Sequence, residues 1–308
     1  MQSFSSLEAA AQLGDTAVTI GKFDGIHIGH RALIAELIAQ AQLHNLTSVL
    51  VTFDRHPDAL LNPQALKLPI IGPSQKRALV AEAGVEAMLT LTFDQALASK
   101  PAEVFVQEIL VDALHAKVVI VGEDFRFGAG GAGHVDLLHD LGQQLGFEVR
   151  VIPSAQVDGQ KVSSSGVRNL LDAGDVAKAA QFLGRVHTTV GIIEHGLKIG
   201  RTIGFPTANM SREAEGYLPL DGVYAGWLTV DGKRYPAAHS VGVNETFQAV
   251  PRLVESHVID RKDLDFYDRV VTLEYIDFIR PSAKFNGVDD LVDEINRDLD
   301  KIRNILGL

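Results

Sequence analysis

The hydrophobic pattern of this chain changes once, near Gly184, and the change predicts two domains of different class. Before it, short β-branched runs alternate with longer stretches in which apolar residues recur at helical spacing. Strands that alternate with helices favour a parallel sheet with helices on both faces. We therefore expect a doubly wound, Rossmann-like α/β domain over residues 1–183 and a second domain over residues 184–308.

The first predicted domain has strands and helices in alternation. The predicted strands are Ala17–Ile20, Ser48–Phe53, Ala87–Phe93, Val118–Val121 and Phe147–Ile152. The predicted helices are His30–Leu43, Gln75–Ala83, Pro101–Leu114 and His134–Leu145. In a doubly wound sheet, ligands bind at the carboxyl ends of the strands, where the strand order reverses. The loops that follow these strands are therefore the places to search for functional residues.

After Gly184, strand-like runs follow one another closely, separated by turn signals such as Asp231-Gly232. This pattern predicts an antiparallel, barrel-like β domain. The runs are Thr188–Glu194, Val223–Val230, Arg234–Val241, Leu253–Ile259 and Val270–Phe278. Apolar residues at helical spacing over Val288–Leu306 predict one closing helix. A short helix capped by Asp175 is expected to join the two domains.

Composition narrows the possible functions. The 308 residues suit two domains at roughly 150 residues each. The formal net charge of -11 argues against a nucleic-acid partner, which requires a basic face. The chain has no cysteine, which excludes disulfides and a cysteine nucleophile. Its first residues lack the pattern of a signal peptide, and no apolar run approaches the ~20 residues of a membrane span, so we expect a soluble, cytoplasmic protein with no membrane partner.

The most informative segment lies between the first predicted strand and the first predicted helix. It contains three glycines and two histidines: Gly21, Gly25, Gly29, His27 and His30. Glycines allow a close approach of the backbone to a ligand, and a helix start offers unpaired N–H groups to an anion. The two histidines are three residues apart and share a helical face, where they can donate hydrogen bonds to a phosphoryl group. A zinc pair or two surface histidines is the alternative, but no third ligand follows at zinc spacing.

Three more segments follow predicted strands: Thr52–Pro57, Gly122–Gly128 and Val162–Arg168. Serines at a helix start are preferred caps, and on their own the serines of the third segment would be explained as caps. With Arg168 one turn later, the same hydroxyl and N–H groups suit a triphosphate. On its own, His56 would be a structural histidine. The functional interpretation depends on these segments meeting at one edge of the sheet.

In the second half, residues 195–209 combine glycines and cations with a Pro-Thr-Ala-Asn end. Gly200 and Arg201 are of the types that bind phosphate, and Thr207 and Asn209 offer neutral oxygen ligands to magnesium. A hairpin loop with an exposed basic face explains the segment equally well. Glu255 lies on a predicted strand, where a glutamate usually faces solvent.

Four segments of the first half occur in a fixed order: GxFDGxHxGH, TFxxHP, GxDFxFG and SSSxxR. Together they resemble the adenylyltransferase module of bacterial bifunctional riboflavin kinase/FAD synthetases over residues 15–183. The resemblance implies a nucleotidyltransferase fold in which the phosphate of FMN attacks the α-phosphorus of ATP and releases pyrophosphate. It assigns His27 and His30 to the reacting phosphates and Arg168 to the departing ones. The other residues that it places at ATP and phosphate are Gly21, Phe23, Gly25, Gly29, Asp124, Ser163 and Ser164. Those that it places at the flavin are Phe53, His56 and Pro57.

The second half resembles the riboflavin kinase module of the same family from Gly184 to Leu308. The segments that carry this resemblance are HGxxxGRxxGFPTAN, GVYAGW, SVGVNxTF, LVESHVID and IRPSAKF. The resemblance implies a six-stranded antiparallel barrel with a C-terminal helix. In it, Thr207 and Asn209 hold Mg²⁺ and the ATP phosphates, together with Gly200 and Arg201. Glu255 is the general base that takes the proton of the ribityl hydroxyl, and Arg280 shapes the flavin pocket.

Three hypotheses follow. In the first, the chain converts riboflavin to FMN and FMN to FAD with ATP, or keeps one of these two activities. In the second, the nucleotidyltransferase acts on another acceptor, such as a pantetheine or nicotinate phosphate, which the attached barrel argues against. In the third, the chain is a flavin-binding or regulatory protein. Inactive sites are argued against by the presence of His27, His30, Arg168, Thr207, Asn209 and Glu255.

Overall fold

The computed structural model describes residues 1–56, 60, 64, 67–195, 199–242, 252–261 and 265–308, without the side chains of Ile199 and Arg201. By their contacts, these residues form two compact units. The first comprises Met1–Pro69 and Pro73–Val162, and the second comprises Ile70–Gly72 and Ser163–Leu308. The domain boundary at 183/184 follows the change in hydrophobic pattern instead, and it stays a prediction.

The first unit is built on a parallel sheet of six strands in the order β1-β4-β3-β2-β5-β6. The strands are β1 (Gln2–Phe4), β2 (Thr16–Ile20), β3 (Thr47–Phe53), β4 (Ala87–Leu91), β5 (Ala116–Gly122) and β6 (Glu148–Ile152). All five residues of β2 are buried, as expected for a central strand covered on both faces. The predicted doubly wound fold is confirmed, and β1 is an edge strand that the sequence pattern did not predict.

Helices connect these strands. They are α1 (Leu7–Ala10), α2 (Ile28–His44), α3 (Pro73–Glu82), α4 (Gln95–Ala98), α5 (Ala102–Phe105) and α6 (Val135–Leu145). The predicted helix over Pro101–Leu114 is present, but it widens into a π-helical segment over Val106–Ala113 directly after α5. There the Leu114 N–H donates to the carbonyl of Ile109, five residues earlier, at 3.2 Å. A small antiparallel ribbon of β7 (Gln156–Val157) and β8 (Gln160–Lys161) completes this unit.

The strand order reverses between β2 and β5. The chain proceeds from β2 through β3 to β4 on one side of the sheet, and then returns to place β5 and β6 on the other. The residue pair Thr19 and Ile120 shows that β2 and β5 are in parallel register as neighbours. The loops after these two strands therefore open at the same edge of the sheet, where ligands bind in folds of this kind.

The second unit begins with two helices, α7 (Ser164–Asp172) and α8 (Val176–Leu183). Asp175 caps α8, as predicted, by accepting the Lys178 N–H at 3.0 Å. A closed antiparallel barrel follows, in the order β10-β13-β12-β11-β14-β9. Its strands are β9 (His187–Glu194), β10 (Ala208–Met210), β11 (Gly222–Val230), β12 (Lys233–Gly242), β13 (Leu253–Val258) and β14 (Val270–Pro281).

Two predicted features of the barrel unit are confirmed. Asp231 and Gly232 both have positive φ, +49° and +73°, and join β11 to β12 as a two-residue hairpin. The closing helix is α10 (Val288–Leu306), with the bounds predicted, and it packs on β11, β12 and β14. A further short helix, α9 (Ile199–Thr202), precedes β10.

Candidate functional site

The loop between β2 and α2 has an unusual backbone. Phe23, Gly25 and Ile26 all have positive φ, of +45°, +82° and +42°. Glycine adopts this conformation freely, whereas a β-branched residue such as Ile26 is strained by it. Residues held in sparsely populated conformations cluster at ligand sites, at a cost of about 1–3 kcal/mol each. The surrounding fold fixes this loop at the edge where the strand order reverses.

The loop delivers two stacked imidazoles to the start of α2. The ring centroids of His27 and His30 are 3.7 Å apart and their planes differ by 15°. His27 is the N-cap of α2, and its Nδ1 accepts the backbone N–H of His30 at 3.3 Å. Since Nδ1 is the acceptor, the proton of a neutral His27 lies on Nε2, which is therefore a donor. The predicted sharing of one face by the two histidines is confirmed.

His30 is neutral at pH 7. Burial lowers the pKa of His30 well below its usual value, and the neighbouring His27 and Lys76 lower it further. Its Nδ1 is buried and has no hydrogen-bond partner among the described residues. A buried nitrogen of this kind is rare unless a ligand, ion or water satisfies it.

The other residues of this loop hold its shape. The Gly21 N–H donates to the Val51 carbonyl at 3.1 Å, which attaches the beginning of the loop to β3. A side chain at Gly29 would press on the imidazole of His27, because an added Cβ would lie 3.2 Å from that ring. Phe23 is fully buried and its ring lies 5.1 Å from that of His30.

Lys76 is a residue of this site that sequence reasoning missed. It lies on α3, and its Nζ donates to the carbonyl of Lys22 at 2.9 Å. Burial lowers the pKa of Lys76, and the charge of Asp24 opposes that effect. A lysine within a helical pattern is normally a surface residue, so the sequence carries no signal for this position.

The loops after β3 and β5 lie at the same edge. Phe53 ends β3, and its ring meets that of Phe93 edge-on at 5.4 Å. His56 is partly buried in the loop that follows, while Pro57 lies outside the described residues. After β5, Asp124 forms an exposed ion pair with Lys161, at 2.9 Å between Oδ2 and Nζ.

Three predicted phosphate-binding residues belong to the second unit. Ser163 is the N-cap of α7, where its hydroxyl accepts the Gly166 N–H at 3.1 Å. Ser164 is the first residue of this helix. Arg168, one turn later, is 5% exposed, and its charge acts on nearby Tyr217. The capping explanation therefore describes Ser163, and the phosphate role of the three residues stays a prediction.

A second constellation lies on the outer face of the barrel, where β10 pairs with β13. Asn209 is directly opposite Glu255 in the antiparallel register, and Thr207 is two residues before Asn209, so the three share one face of the sheet. The Thr207 hydroxyl donates to Oε2 of Glu255 at 3.1 Å. Burial raises the pKa of Glu255, whereas this hydrogen bond lowers it to a smaller extent. The glutamate is therefore partly withdrawn from solvent, unlike the fully exposed strand residue that the pattern alone suggests.

Hydrogen bonds hold the segment from Gly200 to Pro206, which precedes Thr207, in place beside β13. The Phe205 N–H donates to the Gly200 carbonyl at 2.8 Å, and a Cβ at Gly200 would lie only 2.3 Å from the Phe205 oxygen, so glycine is required there. His257 lies 2.8 Å from the Pro206 carbonyl through Nδ1. The backbone of Arg201 belongs to α9, but its side chain lies outside the described part of the structure.

Arg280 on β14 is engaged by the closing helix. Its Nε donates to Oδ2 of Asp298 at 2.9 Å, and its Nη1 donates to the Pro281 carbonyl at 3.1 Å. The guanidinium group lies 5.5 Å from the centre of the Phe285 ring. These contacts fix the arginine between β14 and α10, and its role at a flavin stays a prediction.

The described residues contain no group of three or more His, Cys, Asp or Glu side chains placed to hold a metal ion. Magnesium does not need such a group. It usually keeps several waters and binds through one or two protein oxygens together with substrate phosphates. The hydroxyl of Thr207, the amide of Asn209 and the carboxylate of Glu255 are oxygen donors of the kind that it takes, so the residues present fit this ion.

Two family models match consecutive parts of the chain. The model described as FAD synthetase matches residues 9–166, and the model described as riboflavin kinase matches residues 183–306. Two curated relatives are both described as bifunctional riboflavin kinase/FMN adenylyltransferases. The protein of Pseudomonas fluorescens is 35% identical over 91% of this chain and 90% of its own length. The protein of Escherichia coli K12 is 33% identical over 100% of this chain and 98% of its own length.

A solved structure is similar along the whole chain. It is described as a macrolide-efflux protein from Streptococcus pneumoniae, is 31% identical and superposes with a TM-score of 0.89 over 99% of both chains. In the part of the chain that the structure describes, no helix combines the length and apolarity needed to cross a membrane. The TM-score shows that the fold of the solved structure agrees with the present one. The description of its activity differs from the descriptions of the family models and the curated relatives.

Proposed function

This chain belongs to the bifunctional riboflavin kinase/FMN adenylyltransferase family, and we propose that its barrel phosphorylates riboflavin to FMN and its α/β unit adenylylates FMN to FAD, each with ATP. The observation that carries the proposal is the presence of both enzymatic modules in succession, over residues 9–166 and 183–306. Two separate constellations of polar side chains support it, one at the start of α2 and one between β10 and β13.

For the kinase reaction, Glu255 is suited to act as the general base. The terminal ribityl hydroxyl of riboflavin gives its proton to the carboxylate as its oxygen attacks the γ-phosphorus of ATP, and ADP leaves. A base is most effective when its pKa lies near the working pH, and burial moves the pKa of Glu255 in that direction. The hydrogen bond from Thr207 orients the carboxylate, which reduces the rearrangement needed at the moment of reaction.

Thr207 and Asn209 would hold Mg²⁺, which neutralises charge on the ATP phosphates when it is bound. Gly200 and Arg201, on the loop that leads into β10, are assigned to the same phosphates by the family resemblance. Arg280 lies at the end of β14 beside the closing helix, and the family resemblance assigns it to the flavin pocket.

For adenylyl transfer, an oxygen of the FMN phosphate attacks the α-phosphorus of ATP and pyrophosphate leaves. No covalent enzyme intermediate is needed, so orientation and charge stabilisation determine the rate. His27 Nε2 and the neutral ring of His30 are donors fixed before the ligand arrives, as electrostatic stabilisation of a transition state requires. The resemblance assigns Ser164 and Arg168 to the departing pyrophosphate, and Ser163 to the ATP phosphates.

The remaining assignments concern the loops at the sheet edge. Gly21, Phe23, Gly25 and Gly29 shape the phosphate loop, and Asp124 is placed near the nucleotide ribose or the flavin phosphate. Phe53, His56 and Pro57, after β3, are placed at the flavin. Since both reactions consume ATP, we place the enzyme in the cytoplasm.

One assay tests the proposal. The purified protein is incubated with riboflavin, ATP and Mg²⁺, and the flavins are separated by chromatography. We expect FMN with one ADP per turnover, followed by FAD with one pyrophosphate. Formation of neither product would refute the proposal, and FMN without FAD would restrict it to the kinase. Addition of a chelator should stop both reactions, and undiminished FMN formation in its presence would refute the assignment of Mg²⁺.

A further inference from the structure

Lys76 extends from α3 to the loop after β2 and is anchored there by two acceptors. Its Nζ donates to the Lys22 carbonyl at 2.9 Å and lies 3.4 Å from the hydroxyl of Thr52. That hydroxyl in turn donates to the same carbonyl at 3.1 Å. The ammonium group is thereby fixed directly before Phe23, the first of the residues with positive φ.

Fixing one carbonyl does not by itself require a charge. A neutral donor would hold the Lys22 carbonyl without the cost of removing an ammonium group from water. Lys76 bears that cost, since burial is the main cause of its lowered pKa. The titratable groups that face it are Asp24 in the loop and His30 on α2. An ammonium group has three N–H donors, so one is left over after the two acceptors found among the described residues.

The site at the start of α2 offers hydrogen-bond donors from His27 and His30 but little positive charge. His30 is neutral, and His27 uses Nδ1 to cap α2. Negative charge develops on the transferring phosphoryl group and on the departing pyrophosphate. The positive charge of Lys76 disfavours a proton on His30, and the same field favours an anion next to that ring.

We propose that Lys76 is a phosphate-binding residue of the adenylyl-transfer site, whose ammonium group stabilises the nucleotide phosphates beside His30 while it holds the strained loop at Lys22. The inference rests on the proposed adenylylation of FMN. Lys76 stays protonated throughout and transfers no proton. The bond that forms is between the FMN phosphate oxygen and the α-phosphorus, and the bond that breaks releases pyrophosphate.

The test compares Lys76→Met and Lys76→Arg with the wild type and with Arg77→Met. Arg77 is the adjacent, exposed cation on the same helix and serves as the matched control. The kcat and KM of FAD formation from FMN and ATP are measured, and FMN formation from riboflavin is measured in the same preparations. We expect Lys76→Met to lower kcat/KM for FAD formation by about 10²-fold, the effect of losing one electrostatic donor to a transition state. Lys76→Arg should restore most of the loss, and Arg77→Met should match the wild type.

A pH profile separates charge from mere positioning. In the wild type, kcat/KM for FAD formation should fall on the alkaline side as Lys76 loses its proton. Arginine stays protonated, so this decline should be absent from Lys76→Arg. The pH profiles of the wild type and Lys76→Arg are compared, and both proteins carry a cation at position 76. This comparison therefore tests the role of the positive charge even if Lys76→Met does not fold.

The outcomes distinguish two failures. A wild type that forms no FAD overturns the proposed adenylylation together with this inference. A wild type that forms FAD while Lys76→Met equals it overturns the role of Lys76 alone. An alkaline decline that is the same in the wild type and in Lys76→Arg also overturns it.

Discussion

Two histidines inside the barrel should make the second unit sensitive to acid. His187 and His239 are 1% and 0% exposed, and their rings lie 5.8 Å and 5.4 Å from that of Tyr275. His239 has Nδ1 at 2.8 Å from the Ser256 hydroxyl and Nε2 at 3.2 Å from the Glu274 carbonyl, a pair of contacts that suits the neutral ring. Nε2 of His187 lies 2.7 Å from the Tyr217 carbonyl.

The size of the effect follows from the pKa values. Burial lowers the pKa of both His187 and His239 from 6.5 to about 4. In the unfolded chain each regains a pKa of about 6.5, so below that pH the unfolded state binds more protons and the free energy of unfolding falls. Stability is therefore full above pH 6.5 and is lost as the pH falls from 6.5 to 4. At pH 5 the loss is about 2 kcal/mol per histidine, a large part of the ~5–15 kcal/mol that stabilises a typical domain.

The assay uses a probe confined to the barrel. Trp227 is the only tryptophan of the chain, lies on β11 and has the guanidinium of Arg234 at 4.1 Å from its ring centre. Urea unfolding followed by its fluorescence gives the free energy of unfolding between pH 7.5 and 5. We expect a decrease of about 4 kcal/mol over this range in the wild type, and about half of it in His239→Gln.

A variant that only weakens packing would lower the free energy of unfolding equally at every pH, so the slope against pH is the relevant quantity. His139→Gln, at an exposed position of α6 in the other unit, is the control and should leave the slope unchanged. Equal free energies of unfolding at pH 7.5 and pH 5 in the wild type would refute the reasoning. A full slope in a variant that lacks both buried histidines would refute it as well.

Three further predictions concern the two reactions. His30→Ala should suppress FAD formation and leave FMN formation intact, and equal loss of both products would contradict the assignment. Glu255→Gln keeps an acceptor for the Thr207 hydroxyl but removes the base, so FMN formation should slow by roughly 10²–10⁴-fold; an unchanged rate would exclude Glu255 as the base. Gly29→Ala places a methyl group 3.2 Å from the imidazole of His27, so it should raise KM or lower kcat for FAD formation without affecting riboflavin phosphorylation, as steady-state kinetics would show.

The elements that the sequence predicted are those in which a local pattern and the tertiary structure agree. The helix over Val288–Leu306 has one apolar stripe and packs that stripe on the barrel. Two short strands lacked such a pattern. The strands Gln2–Phe4 and Ala208–Met210 have three residues each, too few to show alternation, and only their partners in the sheet define them. The π-helical turns over Val106–Ala113 keep an apolar face that the sequence alone cannot distinguish from that of an α-helix.

At the functional site, residue types were predictable and backbone conformations were not. The paired histidines follow from spacing, because residues three apart share a helical face. Nothing in the residue types of Phe23 or Ile26 predicts a positive φ, since bulky and β-branched residues disfavour it. Lys76 was missed for a related reason: its place beside the loop depends on a hydrogen bond to a carbonyl 54 residues away in the chain.

In both sites, a hydrogen bond from a nearby residue orients the functional side chain. The donor is close in the chain for His27, and it lies on the neighbouring strand segment for Glu255. His27 is turned by the N–H of His30, and Glu255 by the hydroxyl of Thr207. Such contacts exist before substrate binds, so the free energy of orienting the group is supplied by folding and not by the ligand. The strain at Phe23 and Ile26 has the same source, because only the packed sheet and helices around the loop can hold it. It follows that substitutions in the supporting contacts should lower the rate of one reaction while the substrate contacts themselves remain unchanged.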